Sequence, residues 1–118
     1  MNIETLRTYC LSLQSVTEEF PFDSSTLAFK VAGKIFLLTT IDSPQFQFNV
    51  KCDPELAVQL RDQYNNVLPG FHMNKKHWNT ILVDGSTSDS QLKEWIFHSY
   101  NLVVDGLPKK LKDALSQG

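Results

Sequence analysis

Ten consecutive residues, Phe71-His72-Met73-Asn74-Lys75-Lys76-His77-Trp78-Asn79-Thr80, gather two histidines, two lysines, two asparagines and a tryptophan, with no acid among them. Imidazoles can ligate a metal or move a proton, ammonium and amide groups can hold phosphate, and an indole can stack on a base. Metal chemistry lacks its geometry here. His72 and His77 are five apart, whereas a shared face needs a separation of two on a strand or three to four on a helix. No cysteine or acid accompanies them to complete a ligand set. A histidine base needs a nucleophile within reach. The nearby serines, Ser86, Ser88 and Ser90, fall in a turn and a helix start, where capping explains them. There is no Gly-x-Ser-x-Gly, and Gly33 and Gly85 stand alone, so no phosphate loop is formed. Hydrolase, kinase and dinucleotide-binding chemistry lack their minimum parts. No enzymatic activity, metal or cofactor is expected. An enzyme would need a pocket joining His72 or His77 to a carboxylate such as Asp84.

Phosphate binding keeps its parts. Lys75 and Lys76 are the only charged residues from Pro69 to Val83, a segment of +2. As phosphate contacts they would act with donors from His72, Asn74 and Asn79, although solvated lysines are the ordinary case. Trp78 either packs beneath a sheet or offers a partly exposed stacking platform. Trp95 lies on a helical apolar face and reads as core. A second +2 segment, Leu107 to Gly118, sets Lys109, Lys110 and Lys112 against Asp113. The whole chain carries −2, which argues against binding nucleic acid by bulk electrostatics. Acids gather at Glu18, Glu19 and Asp23.

The elements that must position these residues follow from periodicity. A helix is expected over Asn2–Leu13, capped by Asn2, with Ile3, Leu6, Cys10 and Leu13 on one face. Val16 and the Phe20-Pro21-Phe22 cluster then cross towards a sheet. Leu27–Ala32 and Ile35–Ile41 read as a hairpin turning at Gly33-Lys34. The second of these strands is apolar on both faces, with Ile35, Leu37 and Ile41 on one and Phe36 and Leu38 on the other, as in a central strand. In Gln45–Lys51 the alternation is unbroken. Phe46, Phe48 and Val50 must face a core, and Gln45, Gln47, Asn49 and Lys51 water or a partner, where the amides could read base edges.

Asp53-Pro54-Glu55 opens a second helix ended by Asn65-Asn66. A loop carrying Pro69-Gly70 leads to a strand over Trp78–Val83, which turns at Asp84-Gly85. Ser88 and Gln91 form a candidate capping box for a helix over Asp89–Val104, with Leu92, Trp95, Ile96, Ser99, Leu102 and Val103 on its packed face. Gly106 stops it, and Pro108 starts a last helix packing through Leu111 and Leu115. This order is not the regular alternation of a doubly wound fold. It predicts an α+β domain, an antiparallel sheet with helices packed on one face.

At 118 residues, 42% hydrophobic and 20% charged, the chain suits one packed domain over 1–118. Its longest apolar run, Ile35 to Leu38, is too short to cross a bilayer. Without a basic leader and apolar stretch at the start, the expected location is cytoplasmic, and a monomer is the default expectation. Cys10 and Cys52 form no paired motif. Cys10 reads as core, and Cys52 as structural in preference to a thiolate stabilised at a helix start.

His72-Met73-Asn74-Lys75-Lys76-His77-Trp78-Asn79-Thr80 resembles the His-x-Asn-Lys-x-His-Trp pattern of the MmcQ/YjbR family of small bacterial proteins. Thr26 to Val31, Lys51-Cys52-Asp53-Pro54-Glu55-Leu56, Asp84-Gly85-Ser86 and Leu107-Pro108 support the resemblance, which spans nearly the whole chain. It implies a CyaY/frataxin-like α+β architecture and a DNA-binding label attached to a "double wing" of hairpins and loops. It brings no enzymatic activity. Frataxin-like iron handling does not follow, because Glu4 is the only acid of the first helix. The residues expected to contact DNA, weakly and with strong salt dependence, are Lys51, His72, Asn74, Lys75, Lys76, His77 and Trp78. The alternative is a protein- or small-ligand-binding module, with both histidines pinning a loop and Trp78 packed into the core.

Overall fold

The computed structural model describes residues 1–117; Gly118, the last residue of the expected domain, lies outside the described residues. The chain runs α1 (Ile3–Ser12), β1 (Val16–Glu19), β2 (Thr26–Val31), β3 (Lys34–Thr40), β4 (Gln47–Lys51), α2 (Pro54–Gln63), β5 (Val67–Pro69), β6 (Trp78–Leu82), α3 (Asp89–Asp105) and α4 (Lys109–Gln117). The strands form one antiparallel sheet in the order β1-β2-β3-β4-β6-β5. One apolar cluster joins Phe29, Phe48, Val50 and Ile81 of the sheet to Leu6 of α1, Leu60 of α2 and Ile96 of α3. The helices therefore cover one face of the sheet and leave the other to loops, the expected α+β arrangement.

Capping follows the sequence closely. The Asn2 side chain accepts from Thr5 N at 2.9 Å while Thr5 Oγ1 accepts from Asn2 N, a reciprocal box that starts α1. Asp53 caps α2, with Pro54 at its first position. Ser88 accepts from Gln91 N, but Gln91 turns its side chain to Glu94, so the box at α3 is half made.

The hairpin turn sits one residue earlier than expected. Ala32 (φ 51°) and Gly33 (φ 78°) both take the left-handed conformation, and Val31 pairs with Lys34. A two-residue loop with positive φ at both positions matches the twist of the flanking strands. Ala32 thus belongs to the turn. Ile41 lies just past β3 and is exposed.

A β-bulge overturns the expected faces of β3. Phe29 pairs with Leu37 and Lys30 with Ile35, leaving Phe36 as the extra residue. Phe36 and Leu37 both enter the core, where the Phe36 ring meets Tyr100 of α3 edge-on at 5.5 Å. Ile35 and Leu38 are left on the loop-covered face. Beyond the bulge, Ser99 of α3 fills the gap between two strands: its hydroxyl donates to Phe36 O at 2.6 Å and accepts from Lys51 N at 2.8 Å.

Two strands were not expected. β1 replaces the segment read as a crossing, and β5 replaces part of the loop before Gly70. Both are edge strands, short and carrying the acids or the proline that suit an edge. In the last helix Leu115 packs against the core, whereas Leu111 is exposed. No helix among the described residues is long and apolar enough to cross a membrane.

Candidate functional site

The loop between β5 and β6 is built by its own polar groups and by one arginine. Asn74 Oδ1 accepts from Lys76 N at 2.9 Å, and Asn74 O accepts from His77 N and Trp78 N. Lys75 Nζ bends back to Gly70 O at 3.3 Å. From α2, Arg61 donates to Asn79 Oδ1 at 2.7 Å, to Trp78 O at 3.3 Å and to Lys75 O. Gly70 admits no side chain, because a Cβ there would stand 2.7 Å from Trp78 Cβ and 2.9 Å from Trp78 O. His77 and Trp78 are half-buried. His77 O accepts from Cys52 N at 2.7 Å, tying the loop to the start of α2.

His72 behaves differently. It occupies the left-handed region (φ 59°) in the turn closed by Met73 N and Gly70 O, a conformation that costs a non-glycine residue about 1–2 kcal/mol. The imidazole stands edge-on to Phe71, 4.8 Å between ring centres, and both side chains are exposed. Phe71 N donates to Thr80 Oγ1 at 2.9 Å, and Thr80 Oγ1 in turn donates to Asn49 Oδ1. This relay hangs the loop over the face of the sheet that the helices leave uncovered. There, Phe22, Ile35, Leu38, Asn49, Phe71 and His72 line a cavity of 380 Å³.

The seven expected contact residues do not converge on one cavity. His72 lies in the cavity just described. Lys76 lines a cleft of 580 Å³ along α2 that also holds Glu55 and Arg61. Lys51 lines a third, of 310 Å³, with Lys34, Ile35 and the Gly106–Pro108 turn, and no carboxylate is among its described lining residues. Asn74 and Lys75 are exposed but committed to the loop itself. Trp78 stands directly across from Lys51 in the β4–β6 pairing. Gln47, Asn49 and Lys51 are half-buried on the loop-covered face, less wet than their alternation suggested.

Three contributors were not singled out from the sequence: Arg61 as the loop's anchor, Lys34 beside Lys51, and the exposed rings of Phe22 and Phe71. Of these only the two rings carried a local signal, Phe22 in its aromatic cluster and Phe71 at the head of the segment that runs to Thr80. Other chemistry is distant or muted. Asp84 lies past the far end of β6 from His77, with its carboxylate held below the usual range by the Ser86 hydroxyl and amide. Burial, with Asp53 adding to it, pushes the Cys52 thiol up to about 11, so it stays protonated and structural. Cys10 is fully buried, and its thiol is pushed up to about 12. Among the described residues no three His, Cys, Asp or Glu side chains are grouped so as to hold a metal.

An antiparallel sheet backed by helices, with loops folded over its other face, defines a small α+β domain. The YjbR family model matches residues 11–102. The uncharacterized protein YjbR of Escherichia coli K12 is 32% identical over 117 residues, 99% of each chain. The uncharacterized protein YbdF of Escherichia coli O157:H7 is 37% identical over 91% of this chain and 88% of its own. The crystal structure of Deinococcus radiodurans protein DR2400, a DUF419 domain, superposes with a TM-score of 0.92 at 36% identity, covering 98% of this chain and 88% of that one. The chain belongs to the YjbR family.

Proposed function

We propose that this protein is a monomeric, cytoplasmic, non-enzymatic DNA-binding domain that holds phosphates through lysines beside its loop-covered sheet face. The carrying observation is the cleft shared by Lys34 and Lys51, whose described lining holds no carboxylate. Two lysine ammonium groups lining one cleft suit a phosphate chain, while the last turn of α3 beside them adds no donor, because the Gly106 and Leu107 amides are already turned to carbonyls of Leu102, Val103 and Val104. Lys51 faces Trp78 across the β4–β6 pairing, so the Lys75–Lys76 corner extends from the same edge. Lys76 shares its cleft with Glu55 and contributes less.

The test is titration of labelled duplex DNA at low salt. Binding weakens with salt at a log–log slope of about −0.9 per phosphate neutralised. The double substitution Lys34→Ala/Lys51→Ala removes about two units of that slope, and Lys76→Ala less than one. No binding of duplex or single-stranded DNA at low salt, or an unchanged slope in the double variant, sinks the reading.

The second reading, a ligand- or protein-binding module with a structural His/Trp motif, is favoured by Arg61. Its bonds to Lys75 O, Trp78 O and Asn79 support a reading in which much of the motif serves to fix the loop. Retained DNA affinity in a Lys75→Ala variant beside lost affinity in Lys51→Ala separates the motif's scaffold role from the contact surface.

A further inference from the structure

Resting on the DNA-binding reading and narrowing it, we infer that the strand taken is single: an unpaired base enters the cavity bordered by Phe22 and Phe71 while its phosphate lies at Lys34 and Lys51. Two large rings reach the cavity from separate loops, and both are mostly in solvent, Phe22 at 69% and Phe71 at 62% exposure. Neither contributes to the core cluster. Bases stack on such rings whatever their sequence. A base kept within a duplex is already stacked on both faces and must leave its neighbours to enter a pocket.

The cavity and the lysine cleft share a wall. Ile35 lines both, and it faces that way because the bulge at Phe36 turns it out of the core. A ligand with an apolar ring and an adjoining anion fits that pair of sites. Charge gives the pair a direction. At the other end of the cavity Thr26 N donates to Asp23 at 2.7 Å, and Ser25 Oγ donates to Asp42 at 3.2 Å. Those carboxylates repel a phosphate, so the anion belongs at the Ile35 end. Asn49 is tied through Oδ1 to Thr80, which fixes an amide side chain in the cavity wall for a base edge.

The experiment compares a fluorescent single-stranded oligothymidylate with a hairpin duplex of equal nucleotide number, at one low salt concentration. The single strand is expected to bind at least about fivefold more tightly, the factor that one stacked base supplies. Phe71→Ala and Phe22→Ala each abolish that preference and leave duplex binding unchanged, whereas Lys51→Ala weakens both ligands alike. Both rings are exposed, and unfolding of either variant would leave the other as the test. Equal or tighter duplex binding overturns the inference while the lysine reading stands. So does an unaltered preference in the folded phenylalanine variants, or competition by free thymidine monophosphate as effective as that by the oligonucleotide. Absence of binding to either ligand removes both the inference and the reading beneath it.

Discussion

Arg61 Nε donates to Asn79 Oδ1 at 2.7 Å, joining the last turns of α2 to the second residue of β6. Asn79 is buried at 1% exposure on the helix-covered face, and its Nδ2 reaches Ala57 O at 3.5 Å. The same guanidinium takes the carbonyls of Lys75 and Trp78. A single side chain thus holds both the loop and the strand it feeds.

Replacing Arg61 with alanine leaves the Asn79 acceptor buried without its donor. Loss of one such charge-assisted bond costs about 2 kcal/mol. Urea unfolding of Arg61→Ala is expected to show a lowered midpoint at unchanged slope, and amide exchange at His77 and Trp78 is expected to rise above the change in global stability. Equal exchange across the loop and the core would show that Arg61 does not restrain the loop.

Ser99→Ala is expected to be disproportionately costly for the loss of one oxygen. The hydroxyl serves Phe36 O and Lys51 N together, at full burial. Two backbone groups lose their partner, at about 1–3 kcal/mol for each unsatisfied group. Denaturant unfolding measures the loss, and a value below about 1 kcal/mol would mean that these groups find other partners.

Ala32→Asn is expected to stabilise. Ala32 is exposed and held at φ 51°, where alanine is strained and asparagine is tolerated. A gain of about 0.5–1 kcal/mol should register as a higher thermal midpoint. A lower midpoint would contradict the left-handed turn.

Acid should weaken the fold through its carboxylates. Glu18 is held below the usual range by its hydrogen bond from Arg7 and by that residue's charge. Asp23 is lowered by the backbone amides of Ser25 and Thr26, and Asp84 by Ser86. Each folded value lies below the unfolded one, so the unfolded chain takes up protons first as pH falls. The stability they contribute is complete above the ordinary carboxylate range, about pH 4, and is lost as pH drops through the folded values. Glu18→Gln should be less stable at neutral pH and lose less on acidification. Parallel acid limbs for the variant and the parent would count against the Arg7–Glu18 pair.

How legible each part was depends on the range over which its cause acts. Alternation in Gln45–Lys51 and the caps at Asn2 and Asp53 are local, and the structure carries them nearly residue for residue. β1 and β5 were hidden because a short edge strand exists only through its neighbour. Glu18, Glu19 and Pro69 look like loop residues until β2 and β6 are beside them. The bulge was hidden inside a run that is apolar on both faces, where one extra residue leaves no mark on the pattern.

The amino-acid sequence by itself determined the α+β class, most helix starts, the family and the segment from His72 to Thr80 as the distinctive one. Those properties rest on spacing and residue type, which act between near neighbours. Tertiary structure decided where that segment sits and what surrounds it. It turned Arg61 into the loop's anchor, brought Lys34 beside Lys51, rotated Ile35 out of the core and set Phe22 and Phe71 along one cavity. Each of these depends on contacts between residues far apart in the chain, which only the packed sheet and helices bring together.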